Sequence, residues 1–450
     1  MKSIFSISLG VSLAIIFLQS GCASHRKSKP QENVPAANPT TFKNERIETL
    51  PNGIKVYFVP DDSLPRLSLQ VLFPVGTVSE KPEQSGLNAL TSRLLDQGTK
   101  SKSALEVADL LADYGADFSS QAGADFTVMA SSSLSTQFPK LLDLFFEIVT
   151  SPSFSQEDFE RIRQQMLVQI KGRRDRSGPW SDFLMMQKFY EGTAYGRDVL
   201  GTEETLKRLT RQDVVQFYRT HYSSNGALVA VAGRLTPEIE KAVKARLSSW
   251  GGNGTTPTVK TLAGVVAPQG QSKIETPHKA QTEIRIIQPG IPRAHPDYLK
   301  LRLANEILGG SFASRLNQKV RDDLGLTYSI YSYLDTRALS GAWVVSTFSK
   351  NETAVQTIEE TRKVLQTYYQ EGPSQKELDA AKNLVKAQFP RALETADKLA
   401  FNFLVLDFYG IGPSYLINFE KTIDSYSLRD IHQAVRNYLK PDQLLIMSFQ

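Results

Sequence analysis

The sequence predicts an α+β protein made of two homologous domains in tandem. Segments typical of strands alternate with segments typical of helices, which favours mixed layers over an all-α or all-β fold. A similar order of helix-start signals and apolar strands occurs twice, about 217 residues apart (427 − 210 = 217). A stretch rich in Gly, Thr and Pro separates the two copies. At 450 residues the chain is also long enough for more than one hydrophobic core.

The individual elements follow from the periodicity of apolar residues. Runs of β-branched and aromatic residues, often alternating with polar ones, predict strands at 54–59, 67–75, 126–133, 227–232, 282–288, 328–334, 342–348 and 444–449. Apolar residues at helical spacing predict helices at 104–114, 138–150, 159–171 and 353–369.

Helix-start signals recur at equivalent places in the two halves. Ser155 and Ser374 each follow a Pro-containing segment and precede acidic residues, as N-capping serines do. Thr210 and Ser427 each stand three residues before an aspartate, and each predicted helix is followed by an apolar strand. This repetition predicts a first domain at 44–250, a linker at 251–270 and a second domain at 271–450.

The beginning of the chain predicts export. Lys2 precedes a mostly apolar run at 4–18, which is too short for a membrane-spanning helix and typical of a signal peptide. Cys22, after small residues, resembles the lipid-modified cysteine of bacterial lipoproteins, although Gln19 stands where an apolar residue is usual. We therefore expect a signal peptide at 1–21 and a lipidated Cys22 on a polar tether at 22–43. The alternative is a free thiol in an ordinary signal peptide.

The lipoprotein resemblance implies a location, and the charge of the chain argues against one class of partner. Ala23 is not the aspartate that often retains lipoproteins at the inner membrane, so we expect an outer-membrane anchor facing the periplasm. The membrane contact is then through the lipid alone. The net charge of +5 is small for this length, and no basic cluster is interleaved with aromatics, so nucleic-acid binding is not expected. A single cysteine allows no disulfide within the chain.

Residues 86–99 read Gly-Leu-Asn-Ala-Leu-Thr-Ser-Arg-Leu-Leu-Asp-Gln-Gly-Thr. This segment resembles G-L-x-H-x-x-E-H-x-L-x-x-G-T of the M16 peptidase family, the insulinase and mitochondrial-processing-peptidase type. In active members the two histidines bind zinc and the glutamate is the general base. Those positions fall on Ala89, Arg93 and Ser92. Zinc binding and general-base catalysis are not possible with a methyl group, a permanently charged guanidinium and a hydroxyl at these positions.

The family's third zinc ligand is a glutamate in a later helix, and Gln169 occupies that position here. It lies 76 residues after Arg93 (169 − 93 = 76), about the spacing of the family. Because all four positions have changed together, the resemblance implies that this chain holds no metal, no catalytic residue and no cofactor of its own. None of the five histidines has a second ligand at zinc spacing.

The second half keeps another family pattern. Residues 308–316, Leu-Gly-Gly-Ser-Phe-Ala-Ser-Arg-Leu, resemble the family's L-G-G-x-x-x-S-R-L. Arg321 and Tyr328 follow, seven residues apart. In active relatives this pair holds the peptide substrate near the zinc. A guanidinium and a phenol can both donate hydrogen bonds to a peptide carbonyl or its oxyanion, so the implied role is substrate binding.

The resemblance covers about 44–450 and implies two tandem domains, each a mostly antiparallel sheet backed by helices, forming a clam-like chamber. It implies a non-catalytic, peptide-binding subunit that pairs with a chain carrying H-x-x-E-H, with zinc in that partner. Substrates would be peptides or unfolded polypeptides. Two alternatives stay open: a structural subunit of an envelope assembly, and an active peptidase with a non-standard metal site.

Overall fold

The computed structural model describes residues 45–251, 268–276 and 280–450. The signal peptide, Cys22, the tether and most of the linker lie outside these residues. We refer to 45–251 as the N-terminal half and to 268–450 as the C-terminal half. In the part that is described, no helix is long and apolar enough to cross a membrane.

The N-terminal half consists of a six-stranded sheet and eight α-helices. In chain order its elements are β1 (Arg46–Thr49), β2 (Lys55–Pro60), β3 (Arg66–Phe73), α1 (Leu87–Leu94), α2 (Ala104–Asp113), β4 (Asp117–Ala122), β5 (Thr127–Leu134), α3 (Phe138–Thr150), α4 (Gln156–Arg173), α5 (Ser177–Phe189), α6 (Glu203–Arg208), α7 (Arg211–His221), β6 (Leu228–Gly233) and α8 (Pro237–Ser249). The strand order is β1-β2-β6-β3-β5-β4, and only β2 and β6 are parallel.

The C-terminal half repeats this arrangement. Its elements are β7 (Gly270–Ile274), β8 (Thr282–Pro289), α9 (Tyr298–Asn305), β9 (Ile330–Thr336), β10 (Gly341–Ser349), α10 (Ala354–Glu371), α11 (Gln375–Ala392), α12 (Ala396–Phe408), α13 (Ser414–Ile417), α14 (Phe419–Ser425), α15 (Leu428–Tyr438) and β11 (Leu445–Phe449), with π-helical turns at 306–310 and 317–323. The strand order β7-β11-β8-β10-β9 matches β2-β6-β3-β5-β4 of the first sheet.

The predicted helix starts are present, and hydrogen bonds explain them. The hydroxyls of Ser155 and Ser374 accept from backbone N–H groups in the first turns of α4 and α11. Thr210 and Ser427 form reciprocal capping boxes with the acidic residues three positions later. The two copies of the fold thus begin equivalent helices with equivalent chemistry, which supports an internal repeat.

The halves exchange one helix each. Helix α12 of the C-terminal half packs on β2, β3 and β6 of the first sheet, where Phe403 stacks on Tyr57 with ring centroids 5.6 Å apart. Helix α5 of the N-terminal half packs on β8 and β11 of the second sheet, and places Met185 and Phe189 among the apolar side chains of that sheet. Each sheet is therefore covered on one face by a helix from the opposite half.

Polar groups join the halves at the same junction. The side chain of Arg285 on β8 is only 3% exposed, and its Nε donates to Asp182 of α5 at 2.6 Å. Buried Asp125 accepts from the Tyr195 hydroxyl at 2.5 Å and from the backbone N–H of Ala338 at 2.9 Å. Buried charges need such partners to offset the cost of desolvation, so these contacts help to hold the two halves together.

The predicted fold class is confirmed: two tandem α+β repeats with mostly antiparallel sheets. Apolar side chains of both halves belong to one continuous core, which includes Tyr57 and Leu72 from the first half and Phe403 and Leu404 from the second. Helix α12 makes this connection, because it covers one face of the first sheet.

Candidate functional site

The helix that carries Ala89, Ser92 and Arg93 is well packed. Ala89 and Ser92 on α1 are buried, at 2% and 1% exposure. The Ser92 hydroxyl donates to the backbone carbonyl of Ala89 at 3.1 Å, so it is already used within the helix. Neither side chain presents a lone pair to an open site, and both now serve as core packing.

Arg93 occupies the last turn of α1 and is partly exposed. Burial lowers the pKa of its guanidinium, and no hydrogen bond or ion pair within the described residues compensates that desolvation. The group still carries a full positive charge at neutral pH, because the ordinary pKa of arginine is above 12. A cation at this position would repel a metal ion.

Gln169 lies on α4, which packs against α1. Its side chain is exposed, and no hydrogen bond between described residues joins it to Ala89, Ser92 or Arg93. Within 45–251, 268–276 and 280–450, no three His, Cys, Asp or Glu side chains are grouped so that they could hold a metal ion. The two helices that carry Arg93 and Gln169 are nevertheless in contact.

The start of α1 is anchored by a buried acid. Glu80 accepts from the backbone N–H groups of Asn88 at 2.8 Å and Gly86 at 3.2 Å, and burial raises the pKa of its carboxyl to about 8 despite these bonds. The Asn88 side chain donates to Thr127 at 2.9 Å and accepts from the Tyr222 hydroxyl at 2.6 Å. These bonds fix the position of α1.

Arg321 and Tyr328 are adjacent, as their spacing predicts. Arg321 lies in the π-helical turn at 317–323, and its Nε donates to the Tyr328 carbonyl at 2.9 Å. Its guanidinium carbon lies 5.7 Å from the centre of the Tyr328 ring and 4.4 Å from the centre of the Phe312 ring. The Arg321 Nη1 also donates to Asp322 at 3.2 Å. We call Phe312, Arg321 and Tyr328 the aromatic–arginine cluster.

The cluster faces outward. Tyr328 is 80% exposed and Phe312 is 71% exposed, although large apolar groups are usually buried. Within the described residues, neither the Tyr328 hydroxyl nor the Arg321 Nη2 has a hydrogen-bond partner. The cluster therefore presents two unused donors beside two exposed rings, a combination suited to a carbonyl and the groups around it.

The glycines and polar residues of this segment explain its shape. A side chain at Gly309 would come within 2.7 Å of the Ser332 backbone nitrogen, so only glycine allows the π-helical turn to approach β9. The Asn317 side chain donates to the Ile330 carbonyl at 2.9 Å and fixes where β9 begins. Arg315 forms a bidentate pair with Glu377, at 2.6 and 2.7 Å, which ties the segment to α11.

The structure separates the two sets of predicted residues. No hydrogen bond, ion pair or ring contact between described residues joins Ala89, Ser92, Arg93 or Gln169 to the aromatic–arginine cluster. The predicted strand at 328–334 begins only at Ile330, so Tyr328 lies in the preceding loop. Phe312 was not singled out from the sequence. The available signal was an aromatic residue between Ser311 and Ala313, in a motif otherwise rich in small residues.

Two family models match the chain. The insulinase (peptidase family M16) model matches residues 56–203, and the peptidase M16 inactive domain model matches residues 208–385. The first contains α1 and Gln169, and the second contains the aromatic–arginine cluster. The boundary between the models lies near the start of α7.

Relatives and solved structures agree with these models. An uncharacterized zinc protease of Streptomyces coelicolor is 28% identical over 327 residues, covering 70% of this chain and 71% of that protein. A non-peptidase homologue of Helicobacter pylori is 23% identical over 378 residues, covering 82% and 85%. The crystal structure of a peptidase M16 inactive domain from Pseudomonas fluorescens has a TM-score of 0.84 and 26% identity, covering 90% and 98%. The chain belongs to the M16 peptidase family and carries its inactive-type C-terminal domain.

Proposed function

We propose that this chain is a non-catalytic subunit of an M16-type zinc peptidase and binds the peptide substrate for a partner chain that carries H-x-x-E-H. The observation that carries the proposal is the contrast between the two predicted sites. The positions of the zinc ligands are packed or charged, whereas Arg321 and Tyr328 are held side by side with unused donors facing out. Loss of one function beside retention of the other is what a division of labour between two chains requires.

In this proposal, zinc and the general base belong to the partner. Zinc held by the H-x-x-E-H residues of the partner would supply the activation of water and the polarisation of the scissile carbonyl. Arg321 and Tyr328 donate hydrogen bonds to the peptide carbonyl or to the oxyanion that forms from it. In this proposal the chamber for the peptide lies between this chain and the partner, because the peptide has to meet the donors of this chain and the metal of the partner.

The experiment is reconstitution from two purified chains. The partner is a co-expressed M16 chain with an intact H-x-x-E-H, and the substrate is a quenched fluorescent peptide. We expect this chain alone to bind no stoichiometric zinc and to hydrolyse nothing, and we expect chelator-sensitive turnover when both chains are present. Tightly held zinc with activity in this chain alone would support instead a peptidase with a non-standard metal site.

A purely structural subunit is the second candidate for this chain. It is favoured only by the shared core of the two halves, which makes the chain a rigid body. A structural role does not require an arginine beside two exposed rings, so the first proposal accounts for more of the molecule. Unchanged partner turnover on addition of this chain, with a stable complex, would favour the structural role.

We further propose that Cys22 carries a lipid that holds the complex at the outer membrane, facing the periplasm. The support is the signal-like run before Cys22 and the polar tether after it. Labelled palmitate should be incorporated into the wild type, and Cys22→Ser should release the protein into the soluble fraction. An unlabelled, soluble wild type would rule out the anchor.

A further inference from the structure

We propose that Phe312 makes the aromatic–arginine cluster a subsite for a large apolar or aromatic side chain of the bound peptide. The inference rests on the proposed peptide-binding role and deepens it by assigning a substrate class. The donors of Arg321 and Tyr328 recognise any peptide carbonyl. The exposed ring of Phe312 adds a preference for the type of side chain next to that carbonyl.

Phe312 is exposed although its own segment is tightly held. The Ser311 hydroxyl donates to the Glu306 carbonyl at 3.1 Å, and the Asn317 side chain donates to the Ser311 carbonyl at 3.2 Å. A few residues on, Leu316 is fully buried. The Phe312 ring therefore projects from a fixed backbone, and its 71% exposure is a property of the folded surface.

The guanidinium of Arg321 is oriented before any ligand arrives. Two of its nitrogens are engaged, Nε with the Tyr328 carbonyl and Nη1 with Asp322, while the rings of Phe312 and Tyr328 lie 4.4 and 5.7 Å from its carbon. Preorganised groups of this kind lose little entropy when they bind. The Nη2 edge is left for a carbonyl, and the two rings are left for the neighbouring side chain.

A second arginine in the chain shows what a completed version of this arrangement looks like. Arg337 lies 4.9 Å from the Tyr190 ring centre and 4.8 Å from the Tyr195 ring centre, and its Nη1 donates to the Tyr195 backbone carbonyl at 3.1 Å. Both tyrosines there are buried. The Arg321 cluster has the same parts, since its arginine also bonds one carbonyl and one carboxylate beside two rings. Its rings are uncovered, and its Nη2 has no partner among the described residues. An extended peptide can supply a covering side chain and a carbonyl for that Nη2.

The charged and apolar groups around Arg321 restrict the class of ligand that the cluster can bind. Asp322 and Asp323 directly follow Arg321 and are exposed, and they balance the charges of Arg321 and Lys319, with which they form ion pairs. Leu324, 37% exposed, adds a further apolar group to the same segment. A neutral peptide segment with a large apolar or aromatic residue fits these groups best.

Peptide binding to the isolated full-length chain tests this inference without partner or zinc. Two fluorescent peptides that differ only by Phe or Ala at one position would be titrated and followed by anisotropy. For the wild type we expect tighter binding of the Phe peptide. Phe312→Ala should reduce that preference about tenfold, and Phe312→Leu should keep most of it. Ile417→Ala, which removes an apolar side chain that is also exposed at 63%, is the matched control and should change nothing.

The outcomes separate this inference from the proposed function. If Phe312→Ala weakens the binding of both peptides equally, Phe312 only positions Arg321 and the subsite is overturned. An unchanged preference for the Phe peptide, or no peptide binding at all, would overturn the subsite as well. A Phe312-dependent preference supports the subsite even if the partner's turnover proves independent of this chain. Turnover that needs this chain, without such a preference, supports the proposed function alone.

Discussion

At the scale of single residues, the two predicted sites differ in whether their side chains keep hydrogen-bonding groups that are free to bind a ligand. Ser92 donates to its own helix, and Ala89 is part of the core. Arg321 and Tyr328 keep unused donors at the surface. The family pattern could place all four residues in the sequence, because it fixes their spacing. It could not reveal their exposure, which depends on the folded neighbours of each side chain.

Phe312 and Arg93 are the clearest examples of residues whose surroundings could not be predicted from the sequence pattern. The motif treats the position of Phe312 as variable, so its ring attracts no attention until the 4.4 Å distance to Arg321 is known. Arg93 is recognisable as a lost zinc ligand. Its lack of an ion-pair partner among the described residues depends on the packing of α1 against α4, which sequence patterns do not encode.

At the scale of elements, strong local signals were sufficient for most helices and strands. Capping serines and threonines mark α4, α7, α11 and α15, since their hydroxyls bond the first turn. Helices α5 and α12 were not predicted. Their sequences are apolar over much of their surface, and α12 carries Phe403 and Leu404 toward a sheet of the other half. Periodicity reports that a face is buried, but not which sheet buries it.

The pair of Arg315 and Glu377 makes a pH-dependent prediction at this scale. Burial alone would raise the pKa of Glu377, but hydrogen bonds from Arg315 and Ser374 outweigh it and lower the pKa to about 2. A lowered carboxyl pKa in the folded state stabilises the protein above the ordinary value of 4.5, and that contribution is lost as the pH falls toward 2.

Glu377→Gln should therefore destabilise the protein at pH 7, by about 1 kcal/mol through the weakened cap and ion pair. The difference from the wild type should shrink between pH 5 and pH 3. Urea unfolding at several pH values measures both effects. Glu394→Gln, which removes an exposed pair with Lys398, is the control and should have little effect. A difference that does not vary with pH would mean that the charge of Glu377 is unimportant.

At the scale of the whole molecule, the exchange of α5 and α12 makes the two repeats one body. The repeat itself was predictable, since equivalent signals recur about 217 residues apart (427 − 210 = 217). The shared core could not be predicted, because a sequence pattern shows that a helix face is buried but not which half it packs against.

The shared core predicts cooperative unfolding of both halves. Phe403→Ala removes a buried ring that stacks on Tyr57, and should destabilise both halves by about 3–5 kcal/mol. Single-tryptophan variants that keep Trp250 in the N-terminal half or Trp343 in the C-terminal half should report the same urea midpoint, and Phe403→Ala should shift both equally. Ile417→Ala serves as the exposed control. Separate midpoints would show that the halves unfold independently.

The measurement that tests the central claim most directly is turnover by the reconstituted complex with altered donors in this chain. Arg321→Ala and Tyr328→Phe are compared with Arg429→Ala, which removes an exposed arginine from α15. Stability and complex formation are measured in parallel. We expect the first two variants to associate normally and to lower turnover by roughly 10²–10³-fold, the usual effect of losing one oxyanion donor. Full turnover with both variants would contradict the account.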